Sequence, residues 1–188
     1  MNNRPMTLKE KVLQTFIVTI REINKHGGPE FFFGKYPVGG MYYNASQDPE
    51  ILDGSKTEMG TGTSRIRLAQ CIKASQGKLL VCADEAVVQG QTLRAEFRSI
   101  SASGSEKDAY AWGRIQGMQM NDNGVDWVLG PVVDMNYDDN PVTAPGSRIY
   151  GDAAAQDKLL RAVVRGIQDQ GVCATVKHFP GLGSYYLR

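Results

Sequence analysis

Apolar residues recur at helical spacing near the start of the chain. Thr7 and Glu10 have the spacing of a capping box, in which each side chain accepts a hydrogen bond from the backbone amide of the other residue. Gly27 can take the left-handed conformation that ends many helices. Between these two signals the apolar residues lie four positions apart, as on one face of an amphipathic helix: Leu8, Val12, Phe16 and Ile20. The pattern predicts a single helix from Leu8 to His26.

Three glycines divide the rest of the chain at equal intervals: Gly77, Gly124 and Gly171. Each glycine closes a stretch of helical character, so we predict helices over residues 64–76, 107–123 and 152–170. Four apolar runs predict strands at residues 38–43, 78–83, 125–133 and 172–176. Strands that are apolar throughout and alternate with helices are typical of a parallel sheet covered by helices. The sequence therefore predicts an α/β fold.

The lengths of the connections distinguish between two kinds of α/β fold. Helices lead to strands through a residue or two, whereas the polar segments 44–63, 84–106 and 134–151 follow strands. A TIM-type (β/α)₈ barrel carries its function in such loops. An open doubly wound sheet also binds ligands at the carboxyl ends of its strands. However, the one glycine-rich stretch near a predicted helix start, Gly60-Thr61-Gly62, follows no convincing strand. Because a complete barrel needs roughly 250 residues, we expect the first half of a TIM-type barrel, about four βα units, forming one partial domain over residues 1–188.

The composition argues against several classes of partner. The 188 residues include 21 lysines and arginines and 20 aspartates and glutamates, for a formal net charge of +1, so we expect no nucleic-acid partner. No apolar run reaches the roughly 20 residues of a membrane span, so we expect no membrane contact. Three cysteines without metal spacing favour reduced thiols and a cytoplasmic location: Cys71, Cys82 and Cys173. We expect no metal and no cofactor.

Polar side chains follow the predicted strands at the points where the strands end. Asp84 follows the second strand, Asp134 follows the third, and Lys177 and His178 follow the fourth. Because the carboxyl ends of barrel strands meet on one rim, these side chains are expected to lie together. A lysine beside a histidine can bind neighbouring hydroxyls of a sugar. The structural alternatives are a capped loop at Asp84, a satisfied histidine and a surface lysine on a tight turn.

Arg148 is a further candidate, because it lies just before the last predicted helix. Its forked guanidinium could donate to hydroxyls or to a carboxylate. The structural alternative is an ion pair with a nearby loop aspartate, Asp138 or Asp139.

Several segments together resemble the N-terminal catalytic domain of family 3 glycoside hydrolases. The most specific is Lys177-His178-Phe179-Pro180-Gly181. The likeness covers nearly the whole chain, through Leu8-Lys9-Glu10-Lys11-Val12-Leu13-Gln14, Val38-Gly39-Gly40, Ala83-Asp84-Glu85, Pro131-Val132-Val133-Asp134, Asn140-Pro141, Ser147-Arg148-Ile149-Tyr150-Gly151-Asp152, Gly166-Ile167-Gln168 and Ala174-Thr175-Val176. This resemblance implies a retaining glycosidase of carbohydrate metabolism, which hydrolyses O-glycosyl bonds of β-glucosides or N-acetyl-β-glucosaminides.

The resemblance also implies roles for individual residues. Asp84, Arg148, Lys177 and His178 would bind hydroxyls of a carbohydrate substrate, and Asp134 would be either structural or in contact with the ligand. The family's nucleophile is an aspartate beyond the fourth strand. Its acid/base is a histidine on a loop after the Lys-His motif or a glutamate farther on. No residue of this sequence matches these positions, so we expect no catalytic residue in this chain and no hydrolysis by the chain alone. The alternatives are a non-catalytic sugar-binding remnant and a truncated gene product.

Three departures from the family pattern bear on the substrate. Leu182 stands where relatives usually carry a polar residue, and residues 85–90 depart from the Asp-Gln-Glu-Gly-Gly pattern of the N-acetylglucosaminidase branch. Arg148 lacks the preceding Arg-Trp-Gly of many β-glucosidases. The last departure favours the β-N-acetylhexosaminidase side.

Half a barrel would leave two sheet edges open. The predicted strands at 78–83 and 172–176 carry few charges that would discourage pairing with another chain. We therefore expect the isolated chain to self-associate through its open barrel edges.

Overall fold

The computed structural model describes residues 4–43, 62–77, 79–84, 103–134 and 153–181. The chain divides into two compact units. The first comprises Met1–Ala83 with Asn123–Val125, and the second comprises Asp84–Asp122 with Asp126–Arg188. Arg148 and most of the long polar segments lie outside the described residues.

The first unit alternates helices with parallel strands. Its elements are α1 (Leu8–Leu13), β1 (Ile17–Thr19), α2 (Ile20–Lys25), α3 (Gly28–Lys35), β2 (Gly40–Tyr43), α4 (Gly62–Ala74) and β3 (Leu80–Asp84), of which the last residue, Asp84, belongs to the second unit. Strand β2 pairs in parallel with β1 on one side and with β3 on the other. The core between these elements is apolar, and its buried members include Ile20, Ile23, Met41, Cys71 and Val81.

The predicted first helix is wrong in its length. The capping box forms at Thr7 and Glu10, but α1 ends at Leu13 and a strand interrupts the helical pattern at Ile17–Thr19. This segment is Ile-Val-Thr, three β-branched residues that favour extended backbone. Its pairing with β2 provides backbone hydrogen bonds that a continued helix would forgo. The Thr19 hydroxyl then accepts a hydrogen bond from the Glu22 amide and so caps α2.

A close backbone contact fixes the approach of β2 to the end of α1. A Cβ atom at Gly39 would lie less than 2.5 Å from the carbonyl oxygen of Gln14. The Gly39 amide donates to the Leu13 carbonyl at 3.3 Å, and the Gly40 amide donates to the Phe16 carbonyl at 3.1 Å. Only glycine fits at position 39 without moving the chain.

The second unit has two helices and two strands, α5 (Glu106–Asp122), β4 (Trp127–Leu129), α6 (Ala153–Gln168) and β5 (Cys173–Ala174). Strands β4 and β5 are parallel, with Trp127 opposite Cys173 and Val128 opposite Ala174. Helices therefore form where the sequence predicts them, but strand β4 is shorter than the predicted run. Pro131 has no amide to donate, so the regular ladder stops before it.

Consecutive strands pair in parallel throughout the described pairings, and helices separate them in the chain. The predicted α/β class is confirmed.

Helices α5 and α6 meet at glycines. A Cβ atom at Gly113 would overlap the Val163 carbonyl oxygen, and one at Gly166 would overlap the Tyr110 carbonyl oxygen. The Tyr110 hydroxyl donates to the Asp169 carboxylate at 2.6 Å and joins the same two helices at the surface. The backbones of the two helices thus lie so close together that only glycine, which has no Cβ atom, fits at the contact positions.

Replacing Gly113 with alanine is expected to destabilise the protein by about 1–3 kcal/mol, because the added methyl group would overlap a backbone carbonyl that cannot rotate away. Gly34→Ala is the matched control, since Gly34 lies in α3 and a Cβ there would have no atom within 4 Å. Urea unfolding followed by circular dichroism measures both variants. Equal stability of Gly113→Ala and wild type would contradict the close helix contact.

The apolar face of α1 lies at the surface. Leu8 is 79% exposed, Val12 48% and Phe16 52%, whereas Ile20, the last member of the predicted stripe, is 2% exposed. In the described part of the chain, the neighbouring strand β1 pairs with β2 on one side only. Leu8, Val12 and Phe16 are therefore exposed apolar residues on the segment that leads into edge strand β1, and such exposed groups beside a strand edge are a common site of association.

We expect the isolated chain to self-associate through its open barrel edges. Because Leu8 and Phe16 lie exposed on the segment that leads into edge strand β1, we expect Leu8→Lys or Phe16→Lys to shift the chain toward monomer. Gln70→Lys, which adds the same charge at an exposed position of α4, is the control and is expected to change nothing. Size-exclusion chromatography with light scattering measures the mass. A monodisperse wild-type monomer would contradict the expectation.

Candidate functional site

The backbone around Lys177 is fixed by its pairing with the segment that follows β4. The Lys177 amide donates to the Pro131 carbonyl at 3.1 Å, and the Val133 amide donates to the Lys177 carbonyl at 2.6 Å. These two bonds form a parallel bridge between Val132 and Lys177, which continues the β4–β5 pairing toward the carboxyl ends of both strands. The peptide bond between Lys177 and His178 is cis. The two hydrogen bonds thus hold Lys177 at both its amide and its carbonyl group, and they place Lys177 and His178 at the end of the sheet.

Lys177 forms an ion pair with Asp84, the last residue of β3. The Lys177 Nζ lies 2.9 Å from Asp84 Oδ1, and the two side chains are 19% and 30% exposed. An ammonium group has three hydrogens, so one bond to Asp84 leaves others able to donate to a ligand. Two of the predicted site residues, far apart in the sequence, are therefore brought together.

His178 is held by Asp134. The Nδ1 atom of His178 lies 2.5 Å from Asp134 Oδ2, and the His178 backbone amide donates to the same oxygen at 3.3 Å. The Asp134 side chain is 1% exposed, whereas the His178 side chain is 42% exposed. A buried carboxylate is costly unless donors surround it, and His178 supplies two. The imidazole is therefore anchored at one edge while part of the ring remains open to solvent.

The turn after the histidine folds back beside the same aspartate. Gly181 has a positive φ of 113°, and a Cβ atom there would lie 3.6 Å from Asp134 Oδ1. Phe179 in this turn is 98% exposed. A residue with a side chain would be strained in the Gly181 conformation, so the glycine is part of the structure that shapes the site.

The described residues contain three of the four predicted site residues, and Arg148 lies outside them. The sequence leaves the role of Asp134 open between a structural one and contact with the ligand, although the position of Asp134 after an apolar strand indicates that it needs a partner. A buried carboxylate that follows an apolar strand has to find a donor, and Lys177 and His178 follow the neighbouring strand.

The thiol that precedes Asp84 on β3 is not a nucleophile at neutral pH. Cys82 is 2% exposed, and this burial raises the pKa of its thiol to about 11. The neutral form therefore predominates far above neutrality. Within the described ranges, no three His, Cys, Asp or Glu side chains are grouped so that they could hold a metal ion.

The sequence profile of the glycosyl hydrolase family 3 N-terminal domain matches residues 7–186. This chain belongs to glycosyl hydrolase family 3. The family resemblance indicated by the Lys177-His178 motif is thus confirmed over nearly the full sequence.

Individual members of family 3 are similar to the chain at moderate identity. A β-hexosaminidase of Mycobacterium bovis is 27% identical over 176 residues, which are 93% of this chain and 43% of that protein. A β-N-acetylglucosaminidase/β-glucosidase of Cellulomonas fimi is 34% identical over 98 residues, 51% of this chain and 17% of that protein. The chain thus spans less than half the length of either relative.

A solved structure of the family has the same fold. The family 3 β-N-acetylglucosaminidase from Paenibacillus sp. str. FPU-7 superposes with a TM-score of 0.70 at 26% identity, covering 94% of this chain and 34% of that protein. Domains of this type in the structural neighbours are TIM barrels. Among the described residues, no helix is both long and apolar enough to cross a membrane.

Thiol labelling tests the placement of the strands around the site. Cys173 is exposed, whereas Cys71 and Cys82 are buried. We expect Ellman's reagent to modify one thiol per chain rapidly in native buffer at neutral pH and all three in denaturant. Cys173→Ser is the control and is expected to abolish the rapid phase. A second rapid thiol in that variant would show that α4, which carries Cys71, or β3, which carries Cys82, is not buried as described.

Proposed function

We propose that this chain is the sugar-binding part of a retaining β-glycosidase, and that it binds the terminal residue of a β-linked N-acetylglucosaminide or glucoside. The observation that carries the proposal is the convergence of Asp84, Lys177 and His178, with Asp134 behind the histidine. These groups provide both donors and acceptors at the carboxyl ends of neighbouring strands, where barrel enzymes bind their substrates.

The chemistry of the three side chains suits a polyol. Each sugar hydroxyl can donate one hydrogen bond and accept others. The Lys177 ammonium donates to one hydroxyl while the Asp84 carboxylate accepts from a neighbouring one. Because lysine and aspartate already compensate each other's charge, a neutral ligand leaves no charge unpaired when it displaces water. Arg148 is proposed as a fourth hydroxyl ligand on the family resemblance alone.

The proposed preference is for N-acetyl-β-hexosaminides. The absence of the Arg-Trp-Gly segment before Arg148 supports it, and so does the likeness to a β-hexosaminidase along 93% of this chain. Family 3 chemistry proceeds with retention through a covalent glycosyl-enzyme, which requires a carboxylate nucleophile and an acid/base. No residue of this sequence matches those positions of the family. We therefore propose that these 188 residues bind the sugar and do not cleave it.

Binding of simple sugars tests this proposal. Asp84→Asn and Lys177→Met are each expected to weaken binding of N-acetylglucosamine by at least about tenfold, because a hydrogen bond involving a charged group contributes roughly 1.5–3 kcal/mol. Lys158→Ala is the control, since Lys158 lies exposed on α6 and outside the site. Saturation-transfer and titration NMR measure the affinity, with glucose and galactose as competitors.

Equal effects of all three substitutions would contradict the assigned site. In the same preparation, an aryl N-acetyl-β-glucosaminide is expected to show no hydrolysis above background. Turnover that Asp84→Asn abolishes would show instead that a nucleophile lies within this chain.

A further inference from the structure

The buried Asp134 carboxylate sets the chemical character of the exposed part of His178. Two donors of one residue, the ring Nδ1 and the backbone amide, converge on a single oxygen, Asp134 Oδ2, at 2.5 and 3.3 Å. A backbone amide can only donate, so this oxygen acts as an acceptor. An ionised carboxylate buried to this extent is stabilised by such converging donors. The proton of the short contact therefore belongs on Nδ1.

A neutral imidazole with its proton on Nδ1 has an unprotonated Nε2, which can only accept a hydrogen bond. The His178 side chain is 42% exposed, although its Nδ1 edge contacts a carboxylate that is 1% exposed. Nε2 lies on the ring edge away from Asp134, so the part of the ring that the carboxylate does not hold carries an acceptor. Lys177, the preceding residue, supplies only donors.

We propose that Asp134 is a positioning residue that holds His178 in the Nδ1–H tautomer, so that Nε2 accepts a hydrogen bond from a sugar hydroxyl beside the donating Lys177. This proposal rests on the proposed function for the identity of the ligand. It adds that the site distinguishes two neighbouring hydroxyls of the sugar. One hydroxyl must accept a hydrogen bond from Lys177, and the other must donate a hydrogen bond to His178 Nε2. A ligand that offers only acceptors, such as an ionised carboxylate, does not satisfy Nε2.

The chain is well suited to a direct test, because it has two histidines, His26 and His178. Long-range ¹H–¹⁵N correlation spectra distinguish protonated from unprotonated ring nitrogens. His26→Gln and His178→Gln assign the signals, and His26, on the surface at the end of α2, serves as the internal control. At mildly alkaline pH we expect His178 to show a protonated Nδ1 and an unprotonated Nε2 in the wild-type chain.

Asp134→Asn and Asp134→Ala are expected to shift His178 toward the Nε2–H tautomer and to leave His26 unchanged. Backbone amide spectra show whether the Val133 and Lys177 signals are retained, which separates loss of positioning from loss of fold. A wild-type His178 that is protonated on Nε2 would overturn the proposal, and so would an unchanged tautomer in folded Asp134→Asn. If neither variant folds, the wild-type spectrum alone decides the assignment.

Addition of N-acetylglucosamine separates this proposal from the proposed function. A shift confined to His178 Nε2 and the Lys177 amine supports both. An Nδ1–H tautomer without any response to the sugar would contradict sugar binding and leave the positioning role established. Sugar binding to a ring protonated on Nε2 would contradict the positioning role alone.

Discussion

The parallel bridge between Val132 and Lys177 is the constraint on which the site depends. Two backbone hydrogen bonds hold Lys177 to the segment after β4, beyond the point where Pro131 has already ended the regular ladder. Once this register is set, the lysine side chain meets Asp84 at the end of β3, and the next residue meets Asp134. A shift of the register by one residue would exchange the two side chains and break both contacts. The Lys177–Asp84 ion pair and the His178–Asp134 hydrogen bond are therefore consequences of one backbone pairing.

Much of this arrangement could be predicted from the sequence, because apolar runs that end in charged residues are informative. Asp84, Asp134 and the Lys177-His178 pair each follow such a run, and parallel strands end at a common edge. The pairing of a particular carboxylate with a particular donor could not be predicted. It depends on side-chain directions and on the backbone register, neither of which a periodic pattern contains.

The prediction of a single helix from Leu8 to His26 was wrong because a periodic pattern does not contain non-local backbone pairing either. The spacing of Leu8, Val12, Phe16 and Ile20 suits a helix, and local spacing cannot report a distant strand. Strand β2 supplies a partner for Ile17–Thr19, and this non-local pairing overrides the local pattern. Its signature was nevertheless present in the three β-branched residues. Arg148, for which the sequence predicts a role beside Lys177, lies outside the described residues.

The ion pair between Lys177 and Asp84 also has a consequence for the entropy of binding. A lysine side chain loses up to about 2 kcal/mol of rotational freedom when it is fixed in one conformation. Here the side chain is already held against Asp84 and is 19% exposed before any ligand arrives. The cost of ordering the lysine is therefore met during folding and does not reduce affinity. The ammonium group is thus already held in place for the proposed sugar ligand.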